Sequence, residues 1–146
     1  MGAKLQDEED GIIITGAQSG SYAGIEANLN SFSDQSLTLA AVSAFAKSPT
    51  KITGIAHIRM QESDRLIAIK NELEKLGIRA VMGDGEISIF PKEMDGQDVE
   101  IETYDDHRVA MAFALVGLRR GGVVIKNPDC TAKTFKDYFK VLDEIG

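Results

Sequence analysis

The chain has 146 residues, enough for one compact domain that supports its core without disulfides or metal. Hydrophobic residues make up 43% and charged residues 27%, the balance of a globular protein and not of a disordered tail; no apolar run nears the roughly 18–20 residues of a membrane span. Lys and Arg number 16 against 23 Asp and Glu, a net charge of −7 with the wrong sign for a phosphate-backbone footprint, and the lone cysteine suits no disulfide framework.

In chain order, Gly11 to Thr15 predicts the first strand through Ile12-Ile13-Ile14, followed by a Gly/Ser-rich loop from Gly16 to Gly24. Ile25 to Leu29 alternates and predicts a second strand. Ser36 to Lys47 predicts a helix buried on more than one side, stopped by Ser48-Pro49. Lys51 to Ile55 predicts a strand. Ser63 to Leu76 predicts an amphipathic helix with an apolar stripe of Leu66, Ile69, Leu73 and Leu76, Ser63 as its cap and Gly77 at its stop.

From Gly77 the order of events starts again. Gly77 to Val81 echoes Gly2 to Leu5, Gly85 to Ile89 echoes Gly11 to Ile14, and Val99 to Thr103 stands where Ile25 to Leu29 stood. A helix from Val109 to Arg119 follows Asp106-His107-Arg108 as the earlier helix follows Asp34-Gln35-Ser36. Val123 to Lys126 repeats the Lys51 strand, and a last helix carrying Phe135, Tyr138, Phe139 and Leu142 repeats the Ser63 one. Asp34 and Asp106 lie 72 positions apart, as do Gln61 and Lys133. An internal repeat of residues 1–76 and 77–146, built as pseudosymmetric α/β packing, is the expected organisation.

Charged residues cluster where a strand hands over to a helix: His57 to Arg65, Asp105 to Arg108, Asp129 to Thr134, and Asp34. Free N–H groups at helix starts favour an anion there. Arg65 and Arg108 sit where a cation opposes the helix dipole, so a ligand is the better reason for them. Taken singly each residue also has an ordinary reading: Glu62 and Arg65 as a surface ion pair, Asp34 and Asp106 as helix caps, His107 as a solvated turn residue, Lys133 as an exposed side chain. Cys130 reads as a small buried residue, with no neighbour in sequence to activate it as a nucleophile.

Together the runs Arg59-Met60-Gln61-Glu62-Ser63-Asp64-Arg65-Leu66, Asp106-His107-Arg108-Val109-Ala110-Met111-Ala112-Phe113 and Asp129-Cys130-Thr131-Ala132-Lys133-Thr134-Phe135 closely resemble the 5-enolpyruvylshikimate-3-phosphate synthases. Ser33-Asp34-Gln35 fits the same pattern. The resemblance implies an α/β (α+β type) fold of repeated βαβαββ units, of which this chain would hold about two, as a C-terminal fragment of a synthase. It also implies the reaction: transfer of the carboxyvinyl group of phosphoenolpyruvate to the 5-hydroxyl of shikimate 3-phosphate, releasing phosphate. By position, the resemblance makes Asp34 and Glu62 the catalytic carboxylates. It assigns Arg65, His107, Arg108 and Lys133 to phosphoenolpyruvate, and Asp34, His57 and Gln61 to shikimate 3-phosphate. Gln61 replaces a Lys found in many members and His57 an Asn found in some, and both changes fall on the shikimate side.

No cofactor or metal is expected, and neither nucleic acid nor membrane is an expected partner. The remaining, N-terminal part of the enzyme is the expected missing partner, so the 146 residues alone are expected to be inactive or nearly so, to expose apolar faces that invite self-association, and to reside in the cytoplasm. The competing readings are a carboxyvinyl transferase acting on a UDP-sugar, disfavoured by Asp106-His107-Arg108, and a non-catalytic anion-binding α/β module.

Overall fold

Thr50 and Ile52 alternate with half-exposed neighbours, as do Ile87 and Ile89, and this period-two burial builds the central sheet of the computed structural model, which describes residues 1–16 and 21–145. The sheet has four strands in the order β3 (Glu26–Asn28), β4 (Thr50–Thr53), β6 (Ile87–Phe90), β5 (Arg79–Met82). β3 and β4 run parallel, joined through helix α1 (Ser36–Ser43); β4–β6 and β6–β5 are antiparallel, with Ile52 opposite Ile87. With α2 (Arg65–Lys75) between β4 and β5, residues 26–90 form one βαβαββ unit. Two further pairs flank it: the antiparallel hairpin β1 (Lys4–Glu8) and β2 (Gly11–Thr15), and the parallel pair β7 (Val99–Ile101) and β8 (Val123–Ile125) around α3 (His107–Arg120). The chain closes with α4 (Tyr138–Ile145). The mixture of layered helices and sheets is the α/β fold expected. The element order of residues 4–75 recurs from 79 to 145, yet the hydrogen-bonded sheet crosses between the two stretches, since β5 and β6 pair onto β4.

The core lies between this sheet and α1, α2 and α3. Leu37, Ile52, Leu66, Ile69, Ile87 and Phe113 are fully buried there. α1 is surrounded, packing on α2, α3 and β4, and its small Ala40 and Ala41 let those neighbours approach.

Several boundaries differ from expectation for local reasons. α1 ends at Ser43, not Lys47: Ala44, Phe45 and Ala46 bond back three residues in a tightened turn, and the Lys47 N–H donates to the Tyr22 carbonyl, steering the chain toward β4. β4 stops at Thr53 because Gly54 turns the backbone at φ +74°, where a side chain would collide with Asn28. Asp64, not Ser63, caps α2: its carboxylate accepts the Ile67 N–H, while the Ser63 hydroxyl turns to Asp106. α3 begins two residues before Val109 because Asp106 caps it. α4 begins at Tyr138, leaving Phe135 in the preceding turn. β1 is a strand that the sequence pattern registered only as an echo. The expected loop at Gly16 to Gly24 falls in part on residues 17–20, outside the described residues.

Among the described residues, the hairpin and α4 present open apolar surfaces. Leu5, Ile12, Ile13 and Ile14 are exposed on the hairpin, because three consecutive isoleucines put apolar groups on both faces. α4 buries none of its residues, although Tyr138 stacks edge-on with Phe135 and Phe139 and donates its hydroxyl to the Met111 carbonyl at 2.8 Å.

Candidate active site

Three chain segments meet where the helices start. The 3-10 turn before α1 brings Ser33 and Asp34, the 3-10 turn and bend before α2 bring His57, Gln61 and Glu62, and α3 begins with His107 and Arg108. The 3-10 turn at Pro128–Lys133 adds Lys133.

Arg65 joins the first three. Its guanidinium, only 3% exposed, donates from Nε to Asp106 Oδ2 at 2.8 Å and from Nη2 to Asp106 Oδ1 at 3.2 Å, a fork on one carboxylate. Its Nη1 donates to Asp34 Oδ1 at 3.0 Å and to Gln61 Oε1. Asp106 is fully buried and satisfied on every side, accepting also from the Ser63 hydroxyl at 3.0 Å and the Arg108 N–H at 2.9 Å. Burial pushes this carboxyl toward its neutral form, but the hydrogen bonds from Arg65, Arg108 N–H and Ser63 outweigh it and hold Asp106 below the ordinary carboxylate range.

Around this buried pair stand two accessible carboxylates, each between two bases. Asp34, 45% exposed, lies between Arg65 and the Arg108 guanidinium, whose Nη2 is 2.9 Å from Oδ2. Glu62 lies between His107 Nδ1 at 2.9 Å and Lys133 Nζ at 3.1 Å. The structure therefore brings together Asp34, Gln61, Glu62, Arg65, His107, Arg108 and Lys133. His57 sits at the margin, its Nε2 2.8 Å from the hydroxyl of Ser33 next to Asp34. Arg59 turns away, pairing with Asp64 at 3.0 Å. Cys130 is buried among these turns; burial pushes its thiol up, and the charges of Asp105 and Asp106 reinforce this.

Glu62, Asp106 and His107 each place a ligand atom within 4.8 Å of the others. Arg65 already takes both Asp106 oxygens and Lys133 bridges Glu62, so this cluster is built around its own cations. The chemistry within its reach is the grip of a carboxylate or phosphate by Arg108 and Lys133, with two carboxylates beside them for proton transfer. Sequence reasoning placed Asp106 only as a cap; its role as the hub for Arg65 and Ser63 needed the fold, although its 72-residue spacing from Asp34 marked the position.

The class this defines is an α/β protein that gathers cations and paired carboxylates at its helix starts. The family model for EPSP synthase (3-phosphoshikimate 1-carboxyvinyltransferase) matches residues 1–142, and the chain belongs to that family. It is 45% identical over 139 residues to the 3-phosphoshikimate 1-carboxyvinyltransferase of Nostoc punctiforme, covering 95% of this chain and 32% of that protein. To the enzyme of the same name from Pseudoalteromonas atlantica it is 43% identical over 146 residues, covering 100% of this chain and 33% of that one. The fold is similar to that of the EPSP synthase of Acinetobacter baumannii, with a TM-score of 0.79 and 27% identity over 98% of this chain and 35% of that one. The chain spans about a third of the length of the curated relatives it matches. Among the described residues no helix is long and apolar enough to cross a membrane.

Proposed function

We propose that this chain supplies the phosphoenolpyruvate side of a 3-phosphoshikimate 1-carboxyvinyltransferase active site, as the C-terminal portion of the enzyme with the repeat 1–76 and 77–146. The reaction moves the carboxyvinyl group of phosphoenolpyruvate to the 5-hydroxyl of shikimate 3-phosphate through a tetrahedral intermediate and releases phosphate. It needs a base at the hydroxyl, an acid for the vinyl methylene, and cations for a carboxylate and a phosphate.

The observation that carries this reading is the double bracket: Asp34 between Arg65 and Arg108, and Glu62 between His107 and Lys133. An incoming phosphoenolpyruvate competes with these carboxylates for the same cations. As its carboxylate and phosphate take over Arg108 and Lys133, Asp34 and Glu62 are freed beside the reacting groups, where a proton acceptor and donor are required. Arg65 keeps Asp106 and contributes through Nη1. Gln61 and His57 reach toward the shikimate 3-phosphate side with hydrogen bonds and, in Gln61, without the charge that a Lys would bring. The rest of the shikimate 3-phosphate site lies in residues outside this chain, and the cytoplasm is the proposed location.

Titration calorimetry with phosphoenolpyruvate tests the binding half. The 146-residue chain binds it, and R108A and K133A each weaken binding about tenfold or more, the scale of one lost charge-assisted hydrogen bond. Equal affinity of wild type and the R108A/K133A double variant refutes the site. A phosphate-release assay with both substrates tests the other half: the chain alone gives essentially no turnover, and robust turnover refutes the partial site.

A further inference from the structure

Glu72 is a fully buried carboxylate that takes no part in the cluster above, and its contacts lie on the segment that delivers that cluster's third element. It projects from α2 two turns beyond Arg65 on the same face. Its Oε1 accepts the Tyr104 hydroxyl at 2.7 Å, and its Oε2 accepts the Glu102 N–H at 3.1 Å and Lys75 Nζ at 2.7 Å. Asn71, from the same helix, donates to the Tyr104 oxygen at 3.4 Å.

The gripped residues lead into an unusual turn. Tyr104 and Asp105 both have left-handed backbones, φ +54° and +55°, and the Asp106 N–H closes the turn on the Thr103 carbonyl at 2.9 Å. Two central residues at positive φ suit Gly, Asn or Asp; a tyrosine at the first of them is strained and persists only when its surroundings over-determine it. Asn127 steadies the second residue, donating to Asp105 Oδ1 at 3.1 Å. Glu72 steadies the first. The turn ends on Asp106, and His107 and Arg108 follow it immediately.

We infer that Glu72 is a positioning residue: by holding the Glu102 N–H and the Tyr104 hydroxyl it fixes the Thr103–Asp106 turn and so sets where Asp106, His107 and Arg108 stand against α2. One helix face thereby holds the start of α3 twice, through Arg65 on the Asp106 side chain and through Glu72 on the backbone leading to it. Burial, then the Glu72 hydrogen bond, pushes the Tyr104 phenol up to about 12, so its hydroxyl stays a donor at working pH. The consequence for substrate binding rests on the function proposed above; the turn geometry does not.

The test uses E72Q, which keeps the shape, and Y104F, which removes the donated hydroxyl alone. Amide hydrogen exchange is read at Asp106 and Arg108, with Phe113 and Val116 in the same helix as internal reference. Both variants speed exchange at Asp106 and Arg108 about tenfold relative to the reference amides, and E72Q weakens phosphoenolpyruvate binding about tenfold in calorimetry. Adding Y104N, which tolerates positive φ unaided, restores protection in the E72Q background. Exchange at Asp106 and Arg108 that merely tracks the reference amides, or no rescue by Y104N, makes Glu72 a general stabiliser and overturns the inference. If E72Q does not fold, the Y104F exchange ratio decides alone. If the wild type does not bind phosphoenolpyruvate, the proposed function fails and the exchange data still judge Glu72.

Discussion

Asp106 and Arg65 are respectively 0% and 3% exposed, so this pair, unlike the other ion pairs of the site, is first of all a stability element. Asp106→Asn keeps the volume and, as Asn is a good N-cap, an oxygen for the Arg108 N–H, but withdraws the charge from Arg65 Nε and Nη2. Breaking a buried pair costs about 3–5 kcal/mol. The low end applies, because Arg65 retains Asp34 and Gln61 on Nη1, which gives about 3 kcal/mol. Asp106→Ala also loses the cap, about 1 kcal/mol more. Asp34→Asn is the control: its carboxylate is half-exposed, and its loss costs less than about 1 kcal/mol. Urea denaturation followed by circular dichroism at pH 7 measures all three, and in a domain this size about 3 kcal/mol lowers Tm by roughly 6–12 °C. If D106N and D34N both fall within about 0.5 kcal/mol of wild type, the Arg65–Asp106 pair is solvated in solution and the reasoning fails.

The folded-state Asp106 carboxyl lies below its unfolded value, so its stabilisation is complete above the unfolded pKa of about 3.9 and is lost as pH falls through the folded value; acid titration of stability should be steeper for wild type than for D106N below pH ~4. Gly85→Ala should destabilise by about 2 kcal/mol or more in urea, since φ is +73° and a Cβ would sit 2.7 Å from the Ala56 Cβ. The buried Cys130, its thiol pushed up, should react with a thiol-specific disulfide reagent orders of magnitude more slowly than in urea; fast labelling of the native chain would contradict its burial. The chain should associate with rising concentration, and Ile12→Lys with Ile14→Lys should reduce that association as measured by sedimentation velocity, because these side chains are 64% and 68% exposed on an open hairpin.

The elements that sequence made legible are those whose burial follows a local period. Leu66, Ile69 and Leu73 face the core as their spacing requires, and Gly77 ends the Ser63–Leu76 pattern at φ +76°. The misplaced boundaries depend on partners distant in sequence. Ser63 is a good cap by type, yet its hydroxyl serves Asp106, 43 residues away, and Asp64 takes the helix instead. The sheet was equally opaque: the repeat suggests two like halves, whereas β4 takes β6 from the second half as its partner, a pairing fixed by Ile52 and Ile87 sharing one buried face. In the site, motif resemblance picked out residues that converge, but not how they divide. Arg65 and Arg108 look alike in sequence; one is sealed and the other is accessible.

That division has its sharpest form in the two aspartates. Asp34 and Asp106 stand 72 positions apart before equivalent helices, and Arg65 reaches both. Asp106 is enclosed by Arg65, Ser63 and the first turn of α3, and a carboxylate so fully satisfied and depressed is a poor proton acceptor. Asp34 precedes a helix whose start it does not cap: Gln35 occupies that position and no side chain bonds there, so the Asp34 oxygens face Arg65 and Arg108 instead. Equivalent positions thus take opposite duties through a one-residue difference in where the helix begins. The aspartate that caps its helix ties the start of α3 to α2 through Arg65 and Ser63, and the one released from capping is left half-exposed between Arg65 and Arg108.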